Sequence, residues 1–171
     1  MLFTTEWLAN HFSLRDDHAT NVVPIHQVVT DSRIKTTNSL FIPIVGEKFN
    51  GHDFAEDAIH NGAVALFWQE DQAMPKSIPE QIPVFLVKDT LKALHQLAAI
   101  YRDKVDPIVI GITGSNGKTT TNDIVSSIVQ TTFKTHFTHG NLNNHIGLPL
   151  TVLDMPNDTE VLVLEMGMNH F

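Results

Sequence analysis

The sequence has no cysteine. Disulfides and thiolate metal sites are therefore excluded, which fits a reducing compartment. Basic residues are scarce: lysine and arginine total 11 against 19 aspartates and glutamates, a formal charge of -8. A broad grip on nucleic acid draws on many phosphate contacts from basic side chains, so nucleic acid is not an expected partner. A single anionic ligand remains possible, since backbone amides and one lysine can hold it. Long hydrophobic runs are missing too, and no stretch is apolar for long enough to span a bilayer. The opening "MLFTTEWLANHF" carries an acid and no basic cluster, unlike a signal peptide. The expectation is a soluble cytoplasmic protein with no stable membrane insertion.

What is present suits a packed core. The chain has 171 residues, 42% hydrophobic and 18% charged, enough for one large domain or two small ones. "TTEWLANHF" predicts a short helix capped by Thr4 or Thr5, with Trp7 and Leu8 inward. "SLFIPIVG" reads as a strand in which Pro43 argues for an edge or an irregularity. "DFAEDAIHNGA" is a helix closed by Asn61 and Gly62, and "AVALFWQ" a buried strand. Phe41, Ile44, Phe54, Ile59, Val64, Leu66 and Phe67 form the expected first core. From Glu70 to Pro83 the pattern lapses into a proline-rich loop or spacer.

Beyond it come "VFLV", a helix from Thr90 with Leu91, Leu94, Leu97, Ala98 and Tyr101 on one face, and then "PIVIGITG". A helix over Thr119 to Val129, the weaker strand "FKTHFT", a helix in "NHIGLPLTVLDM" and the strand "EVLVLEM" follow. That alternation is the rhythm of a parallel sheet covered on both faces. The fold class is α/β, with a small mixed amino-terminal domain over 1–87 and a parallel-sheet domain over 88–171. The chain stops soon after "VLVLEM", whereas such a strand normally feeds a loop and a helix. The expectation is a cut chain with an uncovered apolar edge around that strand.

"GITGSNGKTTT" carries the most chemistry. The common phosphate loop places its first glycine five positions before the glycine preceding the lysine. Counting back from Gly117 reaches Ile112, with Gly111 and Gly114 on either side. Even so, an apolar strand enters the glycines and a helix-compatible stretch leaves them. Gly114, Ser115, Asn116, Gly117, Lys118, Thr119 and Thr120 are accordingly candidates to hold a nucleotide's phosphates. Lys118 would lie between the outer phosphates and the Thr119 hydroxyl at magnesium. The alternative is an ordinary strand-to-helix turn.

Glu165 ends an apolar strand and would emerge beside the loop if the strand order brings them together, there to hold a metal ion. It could equally be a solvated strand-end acid. Asn169 and His170 follow and could reach the same region, or lie on the surface. "HGNLNNHIG" offers amides to a phosphate or sugar, although asparagine and glycine are also ordinary turn and cap residues. "TDSR" could bind a ligand through Asp31, Ser32 and Arg33, or form an Asx-type turn with an exposed arginine. "NGHDF" could be a turn with Asp53 capping the next helix.

Taken together, these stretches resemble the Mur ligases, ATP-dependent amide-forming enzymes of peptidoglycan synthesis. The family's own phosphate loop is matched by "TGSNGKT", Thr113 to Thr119, which accounts for the misfit at Ile112. "GNLNNHIGLPLTVL" and "EMGMNH" are similar to the branch that joins D-alanyl-D-alanine to UDP-N-acetylmuramoyl-tripeptide. The alternatives are the branch that adds the third amino acid, an unrelated phosphate-loop NTPase or kinase, and a binding module without turnover. The resemblance implies ATP and Mg2+ as cofactors, with Lys118 and Glu165 catalytic and Thr119 and Glu165 at the metal. It places Ser32, Arg33, Gly46, Asn50, Gly51 and His52 at the uridine end of the substrate. Asn143, Asn144 and His170 would meet the rest of that substrate. Asn50 stands where aspartate is frequent in the family. By the same resemblance the chain is an amino-terminal part, inactive by itself, with the nucleotide domain incomplete.

Overall fold

The computed structural model describes residues 1–15 and 22–167. The chain divides into two compact units, Met1–Leu94 and the residues from His95 onward. This division falls inside a helix, α3 (Thr90–Val105), rather than at the expected position just before it.

In the first unit, β1 (Phe3–Thr4) pairs antiparallel with β3 (Pro24–Ile25). A five-stranded sheet runs in the order β2 (Ser13–Leu14), β7 (Val84–Val87), β6 (Ala63–Gln69), β5 (Ser39–Phe41), β4 (Gln27–Val29). β4 to β7 are mutually parallel and β2 joins antiparallel. The turns that follow β4, β5 and β6 therefore leave from one edge of the sheet, the edge where parallel sheets carry ligands. α1 (Thr5–Ala9) starts at Thr4, whose hydroxyl accepts the Trp7 N–H at 3.2 Å and satisfies one of the free first-turn amides.

The first unit departs from the sequence expectations at several points. β5 is an internal strand and stops at Phe41, so Pro43 lies beyond the ladder rather than on an edge. The stretch from Glu70 to Pro83 is no spacer: it joins the neighbouring strands β6 and β7, and Ile78, Met74 and Ile82 pack into the core. Phe54 is 42% exposed, because a 3-10 turn over Gly51–Phe54 rotates it outward. The inward positions go instead to Ala55 and Ala58 of α2 (Ala55–His60), small enough to bring the helix close to the sheet. Asp53 caps nothing. The Asn50 side chain caps the 3-10 turn, and α2 has no side-chain cap.

The second unit places β8 (Ile108–Ile112), α4 (Lys118–Val129), β9 (Thr135–Phe137), α5 (Gly147–Leu153) and β10 (Val161–Glu165) in that chain order. The sheet order is β8-β10-β9, all parallel. β10 is thus the central strand and is buried throughout, not the exposed edge expected of "VLVLEM". β8 is an outer strand, and its Ile108 is 65% exposed, so the described sheet is not covered on both faces.

Tyr101 pins this unit from α3. It is fully buried, and its hydroxyl lies 2.7 Å from the Met155 carbonyl and 2.8 Å from Asn157 Oδ1. Burial, helped by the nearby Asp154 carboxylate, pushes the phenol up to about 12. Tyr101→Phe keeps the ring and removes the donor, leaving a buried carbonyl unmatched. Denaturant unfolding should show a loss of about 1–2 kcal/mol. An unchanged midpoint would mean that the hydroxyl bonds contribute nothing net.

Candidate nucleotide and metal site

β8 runs straight into the glycines, and the chain turns into α4 at Gly117. Gly117 has φ 75, a left-handed conformation that a side chain disfavours. The Thr121 N–H bonds the Gly117 carbonyl at 2.9 Å, closing the first helical turn. The amides of the first turn have no acceptor within the helix and point, with the positive end of the helix dipole, toward the loop. The Lys118 ammonium donates to the Gly114 carbonyl at 2.7 Å, so the cation already sits over the loop. Ser115, Asn116, Thr119 and Thr120 are exposed around it.

The strand order delivers Glu165. Because β10 lies against β8 in parallel register, Glu165 pairs with Ile112, the last strand residue before the loop. The residue is 1% exposed. Its Oε1 accepts from Asn143 Nδ2 at 2.7 Å, and its backbone N–H donates to the Thr138 hydroxyl at 3.0 Å. Its Oε2 is buried without a hydrogen-bond partner. A buried carboxylate oxygen lacking a donor is costly unless a cation meets it. That orphaned oxygen, with a threonine hydroxyl at the start of α4, suits a hard cation that takes oxygen ligands and completes its shell from phosphates. Among the described residues no group of three histidines or acids could hold a metal by itself.

The polar loop after β9 serves this site in two ways. Asn143 reaches Glu165, and its carbonyl accepts the Gly167 N–H at 2.9 Å. Asn144 turns inward on its own chain: its Oδ1 accepts from the N–H groups of Ile146 at 3.0 Å and Gly147 at 2.7 Å, where α5 begins. That is the turn-and-cap use that the sequence left open. His170 and Asn169 lie outside the described residues.

In the first unit the sequence candidates gather at the carboxyl edge of the sheet, after β4 and β5. Asp31 and Arg33 form a two-pronged ion pair, Nε to Oδ1 at 2.9 Å and the second nitrogen to Oδ2 at 2.7 Å. The guanidinium hydrogen bonds hold the Asp31 carboxyl down at about 2. Arg33 is 86% exposed. Ser32 is buried between them, its carbonyl accepting from Asn61 Nδ2 at 2.8 Å. Gly46 closes a hairpin with Phe49, its N–H on the Phe49 carbonyl at 2.9 Å. Gly51 packs so tightly that a Cβ would lie 2.6 Å from the Ile44 nitrogen, so no other residue fits.

Asn50 and His52 face inward. Asn50 Oδ1 accepts from the His52 backbone N–H at 3.1 Å and meets His52 Nδ1 at 2.7 Å, and Asn50 Nδ2 donates to Gln72 at 2.7 Å. His52 Nε2 accepts the Gln69 N–H at 3.1 Å, which fixes the proton on Nδ1. Both ring nitrogens are committed, so His52 shapes the loop rather than offering a contact. Three participants in the two sites escaped the sequence reading: Gln72, Asn122 and Thr138. Each is a polar residue whose partner lies far along the chain, with no local spacing to mark it.

A glycine loop between a parallel strand and a helix, with a lysine over it and an orphaned carboxylate beside it, defines a phosphate-loop α/β protein. Residues 24–102 match the profile of the Mur ligase family, catalytic domain, and residues 112–171 that of the Mur ligase middle domain. The chain belongs to the Mur ligase family. It is 52% identical over 145 residues to the UDP-N-acetylmuramoyl-tripeptide–D-alanyl-D-alanine ligase of Bacillus subtilis (strain 168), covering 85% of this chain and 31% of that protein. The ligase of the same name from Escherichia coli (strain K12) is 37% identical, with 86% and 31% covered. The crystal structure of MurF from Acinetobacter baumannii superposes with a TM-score of 0.83 at 32% identity, over 99% of this chain and 36% of that one. MurF from Thermotoga maritima in complex with ADP superposes at 0.70, also at 32% identity, over 91% and 34%. The chain thus spans about a third of the length of these relatives.

The buried imidazole gives a pH signature. Burial depresses His52 below its ordinary 6.5, outweighing the opposing pull of Asp53 and Asp71. His136 is lowered from the same value, again chiefly by burial. The unfolded chain then binds protons that the folded chain refuses, so stability is full above about pH 6.5 and falls as pH drops below it. Unfolding titrations at pH 7.5 and 5.5 should show this loss, and NMR should place His52 below its ordinary value. Equal stability at both pH values, with His52 titrating normally, would contradict the neutral, doubly bonded ring.

Proposed function

We propose that this chain supplies the uridine-nucleotide and ATP-binding portions of an ATP-dependent ligase joining D-alanyl-D-alanine to UDP-N-acetylmuramoyl-tripeptide. The observation that carries this reading is the pairing of Glu165 with Ile112. It sets an orphaned carboxylate oxygen beside a phosphate loop whose lysine is already in place. The names of these relatives supply the acceptor and the carboxylate substrate.

Forming an amide from a carboxylate requires activation, because the carboxylate oxygen is a poor leaving group. The terminal carboxylate of the tripeptide attacks the γ-phosphorus of ATP, giving an acyl phosphate and ADP. The amine of D-alanyl-D-alanine then attacks the acyl carbon, and inorganic phosphate leaves. Lys118 would neutralise charge on the transferring phosphoryl group, and the first-turn amides of α4 would cradle the phosphates through Gly114 to Thr120. Thr119 and Glu165 would hold Mg2+, which when bound supplies charge neutralisation at the phosphate oxygens. Residues 1–87 hold the uridine end, with Ser32, Arg33 and Gly46 at the ligand. Asn50, Gly51 and His52 shape the loop beneath it. Residues 88–171 hold ATP. Asn143 and Asn144 would serve the muramoyl portion, a role also proposed for His170, which is outside the described residues.

In a chimera in which this chain replaces the matching segment of the Bacillus subtilis relative, ADP release should require both UDP-N-acetylmuramoyl-tripeptide and D-alanyl-D-alanine. Release by the folded chimera with either one absent would indicate a different phosphate-loop enzyme. Lys118→Ala in that chimera should lower kcat by ~10²-fold or more, about 3 kcal/mol of transition-state stabilisation. A change within about tenfold would remove Lys118 from the phosphoryl group.

A further inference from the structure

Thr138 directly follows β9 at a junction of three elements, and all of its polar groups are used there. Its N–H donates to the Val163 carbonyl of β10 at 3.0 Å. Its hydroxyl accepts the Glu165 N–H at 3.0 Å, and its carbonyl accepts from Asn122 Nδ2 of α4 at 3.0 Å. Thr138 is 2% exposed and Asn122 1%. Asn122 lies one helical turn after Lys118, on the same face of α4. The path from Asn122 through Thr138 to Glu165 thus ties the helix that carries Lys118 and Thr119 to the strand that carries the carboxylate.

Packing alone does not explain the tie. Asn122 Oδ1 and the Ser126 hydroxyl, one turn further on, are both buried without hydrogen-bond partners. Unmatched buried oxygens cost stability, and an apolar residue at 122 would fill the space without that cost. The amide is instead engaged through Nδ2, which donates to the Thr138 carbonyl.

We infer that Thr138 and Asn122 are positioning residues that set the spacing between Thr119 and Glu165, and so tune the affinity of the nucleotide's divalent cation. The inference rests on the reading of this site as a Mg2+–nucleotide site. Thr138→Val removes the hydroxyl acceptor at nearly constant volume, and Asn122→Leu removes the donor. Both side chains are buried, unlike the exposed residues of the loop. A supporting partner of a ligating group typically alters metal affinity by about 10–100-fold.

The test is binding of a non-hydrolysable ATP analogue to the 171-residue chain, measured calorimetrically with Mg2+ and with EDTA, alongside thermal unfolding. Wild-type protein should bind more tightly with Mg2+. Thr138→Val should shrink that gain by about tenfold or more while metal-free affinity stays within about twofold, and Thr138→Ser should restore it. If Thr138→Val does not fold, Asn122→Leu decides, with the same selective loss expected. A gain that is undiminished in folded variants, or equal weakening with and without Mg2+, overturns the positioning role alone. No Mg2+-dependent gain in the wild type overturns the Mg2+–nucleotide reading, and the inference with it.

Discussion

The parallel pairing of β10 with β8 governs the second unit. Because β10 enters between β8 and β9, its last residue, Glu165, meets the last strand residue before the phosphate loop. A carboxylate that would otherwise be a solvated strand end becomes buried, with one oxygen on Asn143 and the other unmatched. The surrounding hydrogen bonds follow from that placement. Thr138 takes the Glu165 N–H, Asn122 holds Thr138, and the Asn143 carbonyl holds Gly167 just past the strand. Shifting the register by one residue would turn Glu165 to the opposite face and dismantle the set.

The first unit solves a related problem with neutral groups. Its candidate residues leave the carboxyl edge of parallel strands, where backbone groups run out of ladder partners. A buried, singly protonated His52 bridges Asn50 to the backbone at Gln69, so the loop after β5 is anchored to the end of β6. Arg33, by contrast, is exposed and, among the described residues, paired with Asp31. An ion pair this exposed contributes little to stability. The guanidinium is therefore held in place at small cost and remains free to meet an anionic ligand.

Much of the fold was legible because the glycines, prolines and apolar runs punctuate the chain clearly. The strand into Gly111, the helix after Lys118 and the helix from Thr90 all lie where the periodicity puts them. Strand order was not legible. β8 and β10 are equally apolar, and nothing local says that β10 lies inside and β8 outside. The same blindness hid Thr138, a strand-end hydroxyl indistinguishable by sequence from a surface one. At Phe54 and Asp53 local signals misled. Asn50 competes for the same capping position, and the 3-10 turn it starts carries the phenylalanine outward. The candidate phosphate loop was marked by its own residues. Glu165, the candidate metal ligand, was marked as a residue type, and its pairing with Ile112 was not.

In the proposed site, Glu165 and the start of α4 meet the same nucleotide-bound cation. Amide NMR of the 171-residue chain, titrated with a non-hydrolysable ATP analogue and Mn2+ in place of Mg2+, tests it directly. Paramagnetic broadening should be strongest at Thr119 and Glu165 and weaken along β10 toward Val161, while Mg2+ shifts the same signals without broadening. Broadening centred elsewhere, or at Thr119 with Glu165 sharp, would mean that the two elements do not share a cation.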